Sequence, residues 1–95
     1  MQIHGIADVK HAGAATLTLL DPLLREIRRR PLLREKSPGS FYCKSKGFLH
    51  FHEDPAGIFA DVKFDFVEFT RMRATTEKEQ RALLQKIDRS LATLG

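Results

Sequence analysis

Four consecutive residues, Asp54-Pro55-Ala56-Gly57, constrain this chain more than any others. They suit a type I turn: Asp caps the first position, Pro presets φ at the second and Gly relieves the fourth. Both flanks read as strands. A four-residue loop closed by Glu53 opposite Ile58 makes the facing pairs His52 with Phe59, Phe51 with Ala60, His50 with Asp61 and Leu49 with Val62. By period-two alternation Leu49, Phe51, Ile58, Ala60, Val62 and Phe64 then share a core face, and Phe48, His50, His52, Phe59, Asp61 and Lys63 share the opposite, mostly polar face. A three-residue loop with Gly57 in a bulge would mix the two sets and expose the apolar one, so that register is rejected.

With 95 residues, the chain has material for one domain, 1–95, which buries only about two-thirds of the surface its unfolded form exposes. The single cysteine, Cys43, excludes an intramolecular disulfide and a thiolate zinc site built from this chain alone. No apolar stretch is long enough to span a bilayer, and the N-terminus lacks a signal-peptide pattern. These features predict a cytoplasmic protein with no membrane partner.

Around the hairpin the order of elements follows from local signals. Residues 1–11 contain Ile3, Ile6 and Val9 around Gly5 and read as a short strand or packed arm. Leu17, Leu20, Leu24 and Ile27 trace a helical stripe interrupted by Pro22, so either the helix kinks or a fresh one starts at Asp21. It should stop near Arg30, ahead of Pro31. Pro31 to Ser40 reads as a connector, with Leu32 and Leu33 tucked against the core. Phe41 to Lys44 starts a strand that turns through Lys44-Ser45-Lys46-Gly47 into the hairpin. A further strand is expected from Phe66 to Arg73 after a bend at Asp65. Thr76-Glu77-Lys78-Glu79 is a capping box opening a helix with Leu83, Leu84, Ile87, Leu91 and Leu94 on one face. The predicted fold is α+β: a three- to four-stranded antiparallel meander with an N-terminal and a C-terminal helix packed on one face.

Three chemical readings attach to this framework. The first is a binding or interaction module that uses the polar face of the 48–63 hairpin, with Phe48, Phe59 and Lys63 as contact residues and a protein partner or second copy as occupant. The second is a metal-dependent or acid/base enzyme centred on His50, His52 and Asp61. Alternate strand residues point the same way, so the two imidazoles can chelate one ion, zinc or another transition metal, with His4 or His11 supplying a further ligand. The commoner situation for such a trio is a pair of surface histidines with a cross-strand contact to Asp61, which favours a binding protein without a cofactor over an enzyme. Glu53 and Asp54 point to opposite faces and cannot act on one atom. Cys43 reads as a small buried hydrophobe.

The third reading is nucleic-acid binding. Of the net charge of +4, most lies between Arg25 and Lys46, where Arg25, Arg28, Arg29, Arg30, Arg34, Lys36, Lys44 and Lys46 oppose only Glu26 and Glu35. Phe41, Tyr42 and Phe48 are candidate stacking surfaces beside Lys44 and Lys46. A solvated helix face is the commoner role for arginines so spaced.

The run from Gly39 to Lys63, containing Phe48-Leu49-His50-Phe51-His52-Glu53-Asp54, together with the helix from Glu77 to Leu91, resembles short bacterial α+β domains that carry this hairpin. The likeness covers about two-thirds of the chain. It implies a bacterial origin and brings no functional residues.

Overall fold

The computed structural model of the protein describes residues 10–95. Of the expected N-terminal arm, only the two-residue strand β1, Lys10–His11, falls within them, and His4 lies outside. Two helices follow instead of one: α1 spans Ala14–Leu19 and α2 spans Asp21–Arg28, with Leu20 closing the first and capping the second. Pro22 sits in the first turn of α2, where its missing N–H costs nothing, so the chain restarts rather than kinks. Leu20, Leu24 and Ile27 of the predicted stripe are buried with Leu23, while Leu17 is only partly covered. Arg29 caps the C-terminus of α2, and Arg30 leads into Pro31.

The sheet contains β2 (Leu33–Ser37), β3 (Ser40–Cys43), β4 (Lys46–Asp54), β5 (Gly57–Val62) and β6 (Thr70–Arg73), hydrogen-bonded in that order as an antiparallel meander. β1 pairs off this path with the far end of β4. The sheet is thus slightly larger than expected. The extra strand is β2, which lies in the segment expected to be a connector. Only Leu33 of Leu-Arg-Glu-Lys-Ser enters the core, so as an edge strand it carries almost no apolar alternation to announce itself. Leu32 is exposed rather than tucked in.

The central hairpin has the expected register, with Leu49 opposite Val62, His50 opposite Asp61, Phe51 opposite Ala60, His52 opposite Phe59 and Glu53 opposite Ile58. Asp54 Oδ1 accepts a hydrogen bond from the Ala56 N–H at 2.7 Å, the cap that its place in the turn requires. Gly57 has φ of +141°, and a Cβ there would lie 2.5 Å from Thr75 Oγ1. That hydroxyl is engaged: it accepts from the Ile58 N–H at 2.8 Å and donates to the Ile58 carbonyl at 3.1 Å.

β6 is shorter than expected because Phe64 to Phe69 is spent on a loop, in which Asp65 Oδ1 accepts from the N–H groups of Val67 and Glu68. The last helix, α3, spans Glu77–Ala92 and opens on the complete Thr76/Glu79 capping box. Its Leu83, Ile87 and Leu91 join α2 and the inner sheet residues Phe41, Leu49, Phe51, Ala60 and Val62 in one core. Burial of each such aliphatic side chain contributes about 1.5–3 kcal/mol. Both α2 and α3 lie on that side of the sheet.

One side chain departs from the predicted faces. Phe48, expected on the polar side, is 1% exposed and packs in the core, stacked on Phe66 with centroids 5.6 Å apart. The cause is a bulge. Phe41 pairs with Leu49 while the next residue, Tyr42, pairs with Gly47, which leaves Phe48 as the extra residue on β4. Such an insertion breaks alternation and re-aims a side chain.

Candidate functional site

The outer sheet face, opposite α2 and α3, collects the chemically versatile side chains. His50 and His52 alternate along β4, Asp61 sits beside them on β5, and His11 comes alongside on β1 as the partner of His52. The imidazole centroids of His11 lie 5.7 Å from His50 and 5.0 Å from His52, and those of His50 and His52 lie 4.8 Å apart. Phe69 closes against His50 at 4.7 Å. His50, His52 and Asp61 each place a ligand atom within 4.8 Å of the others. The three residues expected to act together are therefore neighbours.

Asp61 is not open, however. It is 8% exposed, and Arg71 on β6 holds it with two hydrogen bonds, Nε to Oδ1 at 2.9 Å and Nη2 to Oδ2 at 3.1 Å. Burial alone would push its carboxyl up, but these hydrogen bonds and the guanidinium charge outweigh it and hold the group below its ordinary value. His52 Nε2 lies 2.8 Å from Asp61 Oδ2, out of hydrogen-bond alignment, so that among the described residues both nitrogens of His52 and the Nδ1 of His50 are buried without a hydrogen-bond partner. Burial, with the neighbouring His52 second, holds His50 below the usual histidine range. Its ring is therefore neutral near pH 7.

Around this centre the face is aromatic and cationic. Lys36 Nζ stands 4.5 Å from the centre of the Tyr42 ring, and Lys63 Nζ 4.9 Å from that of Phe69. The guanidinium carbons of Arg71 and Arg73 stand 6.0 and 5.8 Å from that of Phe59. Gly47 lies beneath the edge of the Phe69 ring. Arg34, Lys36, Lys44 and Tyr42 line an open groove of about 540 Å³ at the end of β2 and β3.

The predicted basic patch is split by the fold. Arg28 pairs with Glu35, Arg29 with Glu26 at 3.5 Å, and Arg30 with Asp88 on α3 at 2.9 Å, all on the helical side of the molecule. Arg28 and Arg30 thereby tie α2 to β2 and α3, while the Arg29 pair stays at the end of α2 itself. Arg34, Lys36, Lys44, Lys46 and Lys63 make no ion pair among the described residues. Lys44 and Lys46 lie at the β3–β4 turn, where Lys44 and Ser45 have φ of +52° and +69°. Of the candidate stacking rings, Phe41 and Phe48 are buried, leaving Tyr42. Phe59 is half-buried on the outer face, as expected. Arg71, Arg73 and Phe69 are additions. Period-two spacing places Arg71 and Arg73 on one face, but only the β5–β6 pairing of Asp61 with Arg71 and Phe59 with Arg73 shows which face that is.

These features define an α+β domain whose outer sheet face is aromatic and cationic around the His50, His52 and Asp61 centre, in which Asp61 and ring nitrogens of both histidines are buried. No protein-family model, curated protein or solved structure matches the chain. No helix among the described residues is long and apolar enough to cross a membrane.

Proposed function

We propose that the protein is a binding module whose outer sheet face holds single-stranded nucleic acid. The observation that carries this reading is the pairing of rings with cations that make no ion pair among the described residues, Tyr42 with Lys36 and Phe69 with Lys63, beside Phe59, whose neighbours Arg71 and Arg73 are paired with Asp61 and Glu79. A nucleotide presents a flat base and a charged phosphate side by side, and a ring beside a cation meets both. The unpaired Arg34, Lys36 and Lys44 in the groove beside Tyr42 extend the same chemistry beyond the sheet. Unstacked bases expose the π-faces that such a surface uses, whereas a duplex hides them.

Fluorescence anisotropy with labelled oligouridylate, oligodeoxythymidylate and a duplex of equal length tests this. Single strands should bind at low salt, with log affinity falling by about 0.7 per phosphate contact for each decade of salt. Tyr42→Ala and Phe59→Ala should each cost about 1–3 kcal/mol of binding. Arg29→Ala, on the helical side, should change nothing. Absence of any anisotropy change with either single strand at low salt rules the proposal out.

A further inference from the structure

We propose that His50, His52 and Asp61, with His11 beside them, form a binding site for one divalent transition-metal ion of the zinc, nickel or copper class. Three adjacent strands build it. β4 supplies two imidazoles on one face, β5 supplies the carboxylate opposite His50, and β1 brings a third imidazole alongside His52. The ligand atoms of His50, His52 and Asp61 lie within 4.8 Å of one another. Neighbouring donors around a tetrahedral zinc with Zn–N near 2.0 Å are about 3.3 Å apart, a difference that small imidazole rotations close.

The pointer to an ion is the state of the nitrogens. Buried polar atoms in folded proteins are almost always hydrogen-bonded, and each exception calls for an explanation. Here the Nδ1 atoms of His50 and His52 are buried without a hydrogen-bond partner among the described residues, and His52 Nε2, 2.8 Å from Asp61 Oδ2, makes no aligned hydrogen bond. A cation takes one lone pair from each ring, since a neutral imidazole carries a single one. Arg71 fixes Asp61 through both oxygens, with His52 Nε2 2.8 Å from Oδ2, the arrangement in which an outer group orients a carboxylate ligand. A donor set of imidazoles with one carboxylate selects borderline transition ions over magnesium and calcium, which prefer oxygen. His11 is exposed and gives the ion a way in.

The test uses the full chain, stripped with chelator and titrated with cobalt(II) and zinc(II) under calorimetric and absorption readout. The expected result is saturation at one ion per chain, a cobalt spectrum with nitrogen-ligand character, and no saturation with magnesium. His50→Ala and His52→Ala should weaken binding by more than the roughly 10- to 100-fold that loss of an outer-shell partner causes, and Arg71→Met by about that amount. Should a histidine variant fail to fold, the wild type decides through the imidazole ¹⁵N shifts of His50 and His52, which should move together at one equivalent of zinc. Binding that does not saturate at one ion, that survives both variants, or that leaves those shifts unmoved overturns the proposal.

Discussion

Arg71 and Asp61 face each other across the β5–β6 pair and lock together through two parallel hydrogen bonds, the fork of the guanidinium matching both carboxylate oxygens. The acid is buried and the base is half-exposed, so the pair is anchored on one side and reaches the surface on the other. Replacing Arg71 with Leu keeps apolar contact with Phe59 and leaves a buried carboxylate short of its donors. Charge-assisted hydrogen bonds contribute about 1.5–3 kcal/mol. A fall in stability of that order in urea unfolding is expected, and an unchanged midpoint would show that solvent replaces Arg71 freely.

Phe48→Ala should cost about 3–5 kcal/mol, the range for emptying a large aromatic from a core. Were Phe48 a surface contact residue, the change would be near neutral. Thermal unfolding followed by circular dichroism separates the two, and the larger loss follows from its stacking on Phe66.

Stability should fall in acid partly through Glu35. The hydrogen bond from Arg28 holds its carboxyl below the ordinary value; burial opposes this, and the Gly39 N–H adds to it. A carboxyl held low binds its proton less readily in the folded chain, so the stabilisation is complete above the ordinary glutamate value of about 4.3 and is lost as pH falls through the folded one. Comparing wild type with Glu35→Gln across an acid series should show a gap that is widest near neutrality and narrows on acidification. A gap independent of pH would remove Glu35 from the account.

The β3–β4 turn offers a stabilising change. Two residues, Lys44 and Ser45, connect the paired Cys43 and Lys46, and both have positive φ, the pattern of a type I′ turn that Asn-Gly fills best. Each non-glycine residue in this region costs about 1 kcal/mol or more. Ser45→Gly should therefore raise the unfolding midpoint, by roughly 1 kcal/mol of stability, and differential scanning calorimetry would detect it.

Much of the fold was legible because its strongest signals are local. Asp54-Pro55-Ala56-Gly57 specifies its own turn, and the register of β4 on β5 follows from it through alternation. Thr76 and Glu79 likewise announce α3 through hydrogen bonds that span only three residues. What escaped depends on partners distant in sequence. β2 is polar apart from Leu33 because an edge strand has one neighbour and one covered face. Phe48 turned inward because β3 and β4 meet with one residue to spare, which no pattern within β4 records.

The site divides in the same way. His50, His52 and Asp61 came from one hairpin and could be placed together from its turn. Arg71, Phe69 and the separation of the arginines from the lysines needed the tertiary arrangement. Arg28, Arg29 and Arg30 look like a ligand patch until Glu35, Glu26 and Asp88 are seen to neutralise them.

His11 reaches the outer face on β1, and the chain closes there over a long loop, with Gly13 and Glu53 hydrogen-bonded at 40 positions' separation. Every other strand pairs with its neighbour in the chain, which makes the meander quick to assemble and cheap in loop entropy. The β1 pairing is the costly one, and beside it the Ala12 N–H donates to the Phe51 carbonyl at 3.2 Å. Amide exchange should therefore be faster at Ala12 than within the β4–β5 hairpin, because the long closure is the costlier one to hold. Among the described strands, the third imidazole is thus the one that a long-range closure brings to the face.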